Sequence, residues 1–364
     1  MTSGLQLREE IKRLALEAGF DLAGVASAAD THEHEFFPGW IAAGNAGDMT
    51  YLERRNNDGK LKRTSLANVA PWAHSVVVCA MNYNTDQPYS THAGSSAQGW
   101  ISRYAFLRRD YHDVLLSTLR ELETKFVAFC ESKAIGTPRT WCYVDTGPII
   151  ERIFAKYAGI GWIGKNTCIL NEALGSWLFL GVMLTSIGLP PDMPPPDRCG
   201  SCTRCLDACP TNAFPAPYQL EATRCISYLT IEKRGTIPEE FRIGIGRQVF
   251  GCDICQDVCP WNRTTPITHE QGFASRSELV NPELDWLVRL TPDQFQDVFR
   301  GTPVTRTKLA GLLRNVAIAM GNSGEEKFLP NLQVLAQNPN PIVTDAALWA
   351  IHRLHLQPEP EADK

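Results

Sequence analysis

The stretch CGSCTRCLDACP, from Cys199 to Pro210, contains four cysteines in the order C-x2-C-x2-C-x3-C, followed by proline. A second stretch, CDICQDVCP from Cys252 to Pro260, is a shorter version of this pattern, and Cys225 lies between the two. In ferredoxins the first three cysteines of such a run bind one 4Fe–4S cluster, and the fourth binds the other cluster because the chain has turned away. The spacing therefore predicts a ferredoxin-like module that holds two 4Fe–4S clusters.

The eight cysteines of this region divide into two predicted sets of four ligands. The second motif has one cysteine fewer than a full ferredoxin run, and Cys225 fills that position. The first set is Cys199, Cys202, Cys205 and Cys259, and the second set is Cys209, Cys225, Cys252 and Cys255. Structural zinc is the alternative, because zinc also binds C-x2-C pairs, but C-x2-C-x2-C-x3-C-P is not a zinc-finger spacing. The remaining cysteines are scattered and expected to be buried, namely Cys79, Cys130, Cys142 and Cys168.

The composition is that of an ordinary soluble protein. The chain has 364 residues, of which 44% are hydrophobic and 21% are charged, and its net charge is -5. This acidic balance does not indicate a nucleic-acid binder, so any basic surface has to be local. The first twenty residues mix charges with apolar residues at helical spacing and lack the apolar core of a secretion signal. We therefore expect a cytoplasmic protein with no membrane span, in which clustered cysteines bind metal.

The pattern along the chain predicts a multidomain α+β protein. Residues 1–190 are expected to form a mixed α/β domain with helices at Leu5–Ala18 and Tyr111–Lys133 and strands at Ser75–Met81 and Trp177–Leu184. The segment 85–99, rich in serine, glycine, proline and glutamine, is expected to be a loop. A proline-rich stretch at 190–196 suits a domain boundary because it is stiff and extended.

Two further domains are predicted after this boundary. Residues 191–265 form the ferredoxin-like module, and residues 266–364 are expected to be helical. Short amphipathic runs occur at 309–320, 328–336 and 342–354. The segments 313–322 and 344–353 align loosely with each other, which indicates a HEAT-like pair of helices, with an ordinary helical hairpin as the alternative.

The sequence resembles the epoxyqueuosine reductases in motifs along nearly the whole chain. Within the cluster module these are CGSCTRCLDACPTNAF, RCISYLTIE and GCDICQDVCPWN; upstream is VDTGPIIERIFAKYAGIGWIGKN, and downstream is LLRNVAIAMGN. The resemblance implies the last step of queuosine synthesis, in which an epoxycyclopentane group on the wobble base of tRNA is reduced to a cyclopentene with loss of water. It also implies cobalamin besides the two clusters, bound in a domain similar to that of reductive dehalogenases.

The resemblance places the catalytic acid at Asp145, in the motif Val144-Asp145-Thr146-Gly147-Pro148. A carboxylic acid there would protonate the epoxide oxygen, and burial beside the corrin would raise its pKa. On sequence alone, the alternative is that Asp145 caps the following helix, because aspartate followed by proline is common at helix starts. The residues expected to contact cobalamin are Arg63, Tyr104, Asp145, Lys165, Asn166, Thr167 and Ser227.

Two details refine the expected cofactor site. The lower-ligand signature of cobalamin, D-x-H-x-x-G, is incomplete, because Asp110-Tyr111-His112 is followed by Leu115 where glycine is required. We therefore expect no histidine ligand and a base-off cobalamin. The glycine-rich motif 161–167 is not a phosphate-binding P-loop, because Asn166 follows its lysine. It is either a loop against the corrin or a tight turn between a helix and a strand.

A tRNA-binding surface is expected in the last domain. The span 300–320 carries Arg306, Lys308 and Arg314 and contains no carboxylate. Such a patch can contact the phosphates of an RNA stem, and the alternative is an ordinary solvated helix face. The competing functions are a cobalamin-dependent reductase of a small molecule, like the reductive dehalogenases, and a non-catalytic electron-transfer subunit. We expect a monomer that receives electrons from an external flavodoxin or ferredoxin-type reductase.

Overall fold

The computed structural model describes residues 3–92 and 94–356, and the ends of the first and last predicted domains lie outside these residues. Its β-strands are β1 (Leu22–Ser27), β2 (Ser75–Asn82), β3 (Trp100–Ile101), β4 (Thr140–Tyr143), β5 (Trp162–Ile163), β6 (Ile169–Leu170), β7 (Leu178–Thr185) and β8 (Gln248–Phe250). Its α-helices are α1 (Gly4–Ala18), α2 (His32–Ala42), α3 (Tyr111–Ser132), α4 (Glu151–Tyr157), α5 (Arg204–Asp207), α6 (Ile226–Ile231), α7 (Glu239–Ile245), α8 (Ile254–Asp257), α9 (Leu284–Leu287), α10 (Pro292–Phe299), α11 (Lys308–Ser323), α12 (Leu329–Leu335) and α13 (Pro341–Leu356).

The N-terminal part is built on an antiparallel sheet with the strand order β1-β2-β7-β4. Every residue of β2 is buried, because helices cover both faces of the sheet. Side chains alternate between the faces along a strand. Val77 and Cys79 accordingly pack in the core that includes α1 and α3, whereas Val76 and Val78 pack with Phe154 of α4. The two helices and two strands predicted for this region are confirmed, and residues 85–92 and 94–99 contain no helix or strand.

The cysteine module is joined closely to the rest of the chain. The short helix α5 contains Cys205 of the first motif and α8 contains Cys255 of the second, and the two helices pack against each other. Strand β8, just before Cys252, pairs in parallel with β3 of the N-terminal part. A single apolar core extends from α1 through the cysteine module to α13. The three predicted domains therefore share one core, and their boundaries at 190 and 265 stay a prediction.

The C-terminal part is helical, as predicted. Helices α11 and α13 pack tightly along each other, and a β-carbon on Gly321 would come within 2.8 Å of Ala350. Small residues at this crossing allow the close approach. Within residues 3–92 and 94–356, no helix is both long enough and apolar enough to span a lipid bilayer.

Candidate active site and cluster module

The first predicted ligand set lines one cavity. Cys199, Cys202, Cys205 and Cys259 are all in the wall of a cavity of about 250 Å³, beside Trp261 and Leu170. Cys259 comes from a motif more than fifty residues downstream of the other three, so folding rather than local spacing brings it there. The cavity is larger than a single metal ion needs, and four thiolates around it are the donor set of a 4Fe–4S cluster.

The second predicted set stays a prediction, which the mutual effects of its thiols support. Burial raises the pKa of the Cys225 thiol, and Cys209 raises it further. Burial likewise raises the pKa of Cys252, with contributions from Cys225 and Cys209. The pKa of Cys255 is also raised, by a hydrogen bond with Cys168 and by burial. Cys252 and Cys225 contribute to that shift. Binding to iron would offset the cost of holding thiolates there.

The glycine-rich motif forms a hairpin turn against the cluster module. It joins β5 to β6, so it connects two strands rather than a helix and a strand. The backbone amide of Gly164 donates to the Cys168 carbonyl at 2.8 Å, and Thr167 has a left-handed φ of 63°. The Lys165 ammonium donates to the carbonyls of Gly200 (2.6 Å) and Cys202 (2.9 Å) in the first cysteine loop.

Two residues of this motif, predicted to contact cobalamin, also contact the cysteine loops. Lys165 is committed to the first cysteine loop. Asn166 is only 4% exposed, and its side-chain amide donates to the Cys255 carbonyl at 3.4 Å. Both side chains support the two cluster loops, and their contact with the corrin stays a prediction. Thr167 stays a predicted contact, and its carbonyl accepts from Arg152 at 3.0 Å.

Asp145 lies in a strained loop after β4 and does not cap a helix. Helix α4 begins at Glu151 with Ile150 as its N-cap residue, so the capping alternative is wrong. Asp145 has a φ of 55°, a conformation that aspartate tolerates better than most residues. Gly147 is required, because a β-carbon there would come within 1.8 Å of the Tyr143 ring. Arg63 holds the loop by donating to the Gly147 carbonyl at 2.9 Å.

Three side chains converge on the Asp145 carboxylate. The Tyr111 hydroxyl donates to Asp145 Oδ2 at 2.9 Å. His112 Nε2 and Arg306 Nη2 each lie 3.5 Å from the same oxygen. On its other side, the His112 ring contacts Asp110 through Nδ1 at 2.6 Å. Arg306 Nη2 also lies 3.0 Å from His112 Nε2. The group is assembled from the start of α3, the loop after β4 and the turn before α11.

The charges in this group set where its proton resides. Desolvation by itself raises the pKa of Asp145, whose side chain is about half exposed, but the nearby His112 and the charge of Arg306 outweigh it and hold the pKa below its ordinary value. Burial by itself lowers the pKa of His112, but Asp110 and Asp145 raise it to about 9. The expectation of a raised Asp145 pKa is therefore corrected for the protein without bound corrin: the surroundings lower the pKa of the carboxyl and raise that of the imidazole.

A cavity of about 510 Å³ adjoins this group. Its wall includes His112, Arg306, and Thr146 and Gly147 of the Asp145 loop. Trp141, on strand β4 at the sheet edge, also lines the cavity and is 39% exposed. His112 and Arg306 are thus the members of the Asp145 group that line this cavity.

Aromatic rings connect the Asp145 group with the second set of cysteines. The Tyr111 ring centre lies 6.1 Å from that of Tyr104, which lies 6.2 Å from that of Phe250. Phe250 precedes Cys252 by two residues. Tyr104, a predicted cobalamin contact, is thus between Asp145 and the second cluster loop. Ser227, another predicted contact, is partly buried in the first turn of α6, two residues after Cys225.

The predicted tRNA contacts have three different environments. Lys308 is exposed at the start of α11. Arg306 is half-buried and faces Asp145. Arg314 is corrected: it is 1% exposed, and its guanidinium donates to the carbonyls of Leu229, Lys233 and Gly235. It therefore stabilises the fold and cannot reach a phosphate.

Three residues of the site are not evident from the sequence patterns. His112 and Tyr111 belong to the D-x-H motif, which by itself indicates only an incomplete cobalt-ligand signature. Arg234 is about half exposed, and it donates to the Arg306 carbonyl at 2.9 Å. It comes from a different segment than the basic span 300–320, so no sequence pattern linked it to that patch.

Comparisons with known proteins agree with this assembly. Two families match: the 4Fe-4S double cluster binding domain, over residues 198–262, and "Epoxyqueuosine reductase QueG, DUF1730", over residues 63–146. The first match includes all eight predicted ligands. The epoxyqueuosine reductase of Pseudomonas aeruginosa is 38% identical over 355 residues, covering 96% of this chain and 94% of that protein. The corresponding protein of Salmonella typhimurium is 36% identical over 347 residues, covering 95% and 88%.

Solved structures give the same result. An epoxyqueuosine reductase in complex with an epoxyqueuosine-modified tRNA-Tyr stem loop superposes with a TM-score of 0.85 at 33% identity, covering 97% of this chain and 91% of that one. The Bacillus subtilis epoxyqueuosine reductase, in a structure with its catalytic loop swung out of the active site, has a TM-score of 0.82 at 32% identity, covering 97% and 91%. By sequence and by structure, this chain belongs to the epoxyqueuosine reductase family.

Proposed function

We propose that the protein reduces the epoxide of epoxyqueuosine, at the wobble position of tRNA, to the alkene of queuosine. The observation that carries this proposal is the group around Asp145, which combines a carboxylate, an imidazolium and a guanidinium beside an open cavity. Converting an epoxide to an alkene and water consumes two electrons and two protons. The cysteine module is suited to pass the electrons singly, and the Asp145 group is suited to supply the protons.

Asp145 is the proposed proton donor to the epoxide oxygen. Charge develops on that oxygen as its bond to carbon breaks, and a carboxylic acid within hydrogen-bonding distance neutralises it. The Tyr111 hydroxyl and the Arg63 contact with the Gly147 carbonyl hold the Asp145 loop in place. Arg306 adds positive charge where the oxygen becomes negative.

The residues around Asp145 fit a bound cobalamin. Among the described residues, Tyr143 Oη and Glu151 Oε1 are buried polar atoms without a hydrogen-bond partner. Burial, together with the charge of Asp145, raises the pKa of Glu151 to about 8, so this side chain can donate at neutral pH. The amide groups around a corrin would pair with both atoms. Tyr104, Thr167, Ser227 and Arg63 are the further residues proposed to hold it.

When bound, base-off cobalamin supplies a reduced cobalt centre that can deliver electrons to the substrate. The chain's own part is to place the rings of Tyr104 and Phe250 between the Asp145 group and the second cluster loop. The electrons are proposed to enter from an external flavodoxin or ferredoxin-type reductase.

The tRNA is proposed to bind across Lys308, Arg234 and the exposed part of Arg306. These cations are close together, because Arg234 donates to the Arg306 carbonyl. We propose that the chain acts as a cytoplasmic monomer with three domains, 1–190, 191–265 and 266–364. The α11–α13 pair of the last domain is proposed to be HEAT-like and to support this basic surface.

The direct test is conversion of a defined RNA. The anaerobically reconstituted protein, with iron, sulfide and cobalamin, is mixed with a chemical reductant and an epoxyqueuosine-containing tRNA stem loop. Mass spectrometry of the digested RNA should show loss of one oxygen atom from the modified nucleoside. Unchanged epoxyqueuosine with fully loaded cofactors would refute the proposal. Turnover of halogenated aromatics without RNA would favour the small-molecule alternative.

A further inference from the structure

The proposed reaction requires two protons at one oxygen atom. The first converts the opened epoxide into a hydroxyl group, and the second converts that hydroxyl into the water that leaves. Asp145 can hold only one proton at a time, and in the resting site its carboxylate is ionised beside Arg306 and His112. Asp145 must therefore be protonated twice in each turnover.

We propose that His112 is the group that protonates Asp145, and that it passes both protons to the substrate through this carboxylate. The inference rests on the proposed function. His112 Nε2 lies 3.5 Å from Asp145 Oδ2, so a small movement of the Asp145 loop brings them into hydrogen-bonding distance. His112 also lines the cavity, where it can be reprotonated from solvent between the two transfers.

The surroundings of His112 stabilise both of its protonation states. When the imidazole is protonated, Nδ1–H donates to Asp110 and Nε2–H faces Asp145. After Nε2 has given up its proton, its lone pair can accept from Arg306 Nη2, which is 3.0 Å away. Because Arg306 Nη2 and a protonated Nε2 are both donors, the 3.0 Å contact belongs to the neutral imidazole. When Nε2 carries its proton, Arg306 turns to Asp145 Oδ2, which lies 3.5 Å from Nη2. The transfer leaves neither nitrogen nor oxygen without a partner.

The orientation of the ring is fixed by its own helix. Asp110 is the N-cap residue of α3, and its carboxylate accepts from both the backbone amide and Nδ1 of His112. The Tyr111 ring packs against the imidazole at a centroid distance of 4.0 Å. The charged groups that face His112 are therefore Asp110, Asp145 and Arg306, with Asp113 also in the cavity wall.

The protons and electrons of the proposed reaction steps balance. His112 Nε2–H protonates Asp145, which donates that proton to the epoxide oxygen as the first C–O bond breaks. His112 is reprotonated and loads Asp145 again. Asp145 then protonates the hydroxyl, the second C–O bond breaks, and water leaves. Two electrons from an iron–sulfur or flavin donor, delivered through the clusters, complete the new carbon–carbon double bond.

The test compares His112→Gln and Asp110→Asn with the wild type and with His74→Gln, a change at an exposed histidine away from the site. Glutamine can still donate a hydrogen bond to Asp145 but has no transferable proton. We expect His112→Gln to lower the single-turnover rate on the epoxyqueuosine stem loop by about 10²–10⁴-fold, with unchanged RNA affinity, iron content and cobalamin content. Added imidazole should restore part of the rate.

The pH dependence separates a relay from a structural role. The wild-type rate should fall as pH rises through about 9, the pKa of His112, and this decline should be absent in His112→Gln. In Asp110→Asn the decline should move to lower pH, because the carboxylate that stabilises the imidazolium is removed. NMR titration of the His112 imidazole in the oxidised protein should show the same shift without any turnover. It should also show a lower His112 pKa in Asp145→Asn.

Each outcome decides a separate point. If the wild type does not convert the RNA, the proposed function fails, whereas the NMR titrations still measure the coupling between His112 and Asp145. If the wild type is active and His112→Gln keeps its rate and its pH profile, the relay is refuted. A loss of rate that imidazole does not restore, together with changed RNA affinity, would make His112 a structural residue and would also refute the relay.

Discussion

At the scale of single residues, the site depends on a carboxylate held in an unfavourable backbone conformation. Asp145 has a positive φ, and the glycine two residues later cannot carry a β-carbon. Such strain persists only where the surroundings over-determine it. Here the surroundings are the Tyr111 hydroxyl, the Arg63 contact with the loop backbone and the ion pair with Arg306.

The first prediction concerns Asp145→Asn. Asparagine also tolerates a positive φ and keeps the shape of the side chain, but it has no proton to transfer. The variant should fold and load both clusters and cobalamin, yet lose single-turnover activity by about 10²–10⁴-fold. Cofactor absorbance and RNA conversion are measured on the same preparation. Near-normal conversion would exclude Asp145 as the acid.

The second prediction concerns stability and pH. His112 has a folded-state pKa of about 9, raised by Asp110 and Asp145, against an unfolded value of about 6.5. Its stabilising contribution is therefore complete below about pH 6.5 and is lost as pH rises through 9. The difference in melting temperature between wild type and His112→Gln should shrink over that interval. A difference that stays constant from pH 6 to 10 would contradict the assigned interactions.

At the scale of elements, the β5–β6 hairpin supports the cluster module. Its turn donates to the backbone of the first cysteine loop through Lys165 and to that of the second motif through Asn166. This contact explains why a glycine-rich stretch with a lysine occurs far upstream of the cysteines that it touches. The motif is a structural brace for both clusters.

The third prediction follows from that brace. Lys165→Met keeps the length of the side chain but removes two charge-assisted hydrogen bonds to the first cysteine loop. The first cluster should become labile, so iron should fall from about eight atoms per chain toward four after gel filtration. Lys156→Met, which breaks an ion pair with Glu33 on α2, is the matched control and should keep about eight. Full iron retention in Lys165→Met would contradict the brace.

At the scale of the whole molecule, one apolar core joins parts that the sequence separates into three domains. This continuity places Arg306, next to the C-terminal helices, against a loop of the N-terminal sheet. It also buries Arg314, which was predicted to contact RNA and instead binds α11 to the loop around Lys233. Surface cations remain at Lys308 and Arg234.

The fourth prediction tests this division of the basic residues. Changing Lys308 and Arg234 to glutamate should weaken binding of the tRNA stem loop and reduce its salt dependence, because fewer counterions are released. Cluster content and melting temperature should stay near the wild-type values. Arg314→Met should instead lower the free energy of unfolding by about 1–3 kcal/mol, because three buried carbonyls lose their donor. Equal RNA affinity across a salt series in the double variant would remove these cations from the interface.

The sequence by itself determined the features that depend on neighbouring residues. The cluster ligands are recognisable because a tight loop has to place three thiolates on one cluster, so their spacing is fixed. The long helices and buried strands are recognisable for the same kind of reason, since periodicity is a local property. The motif around Asp145 was likewise identified from the sequence, through its resemblance to a known family.

Only the tertiary structure decided which distant side chains meet. Asp110, Asp145 and Arg306 are separated by 35 and 161 positions along the chain, and no spacing rule relates them. Whether Lys165 and Arg314 face solvent, a cofactor or a buried carbonyl depends on what packs against them, which a linear pattern of charges cannot show. The raised pKa of His112 is a consequence of that packing, because the pKa is set by the charges the fold places around the imidazole.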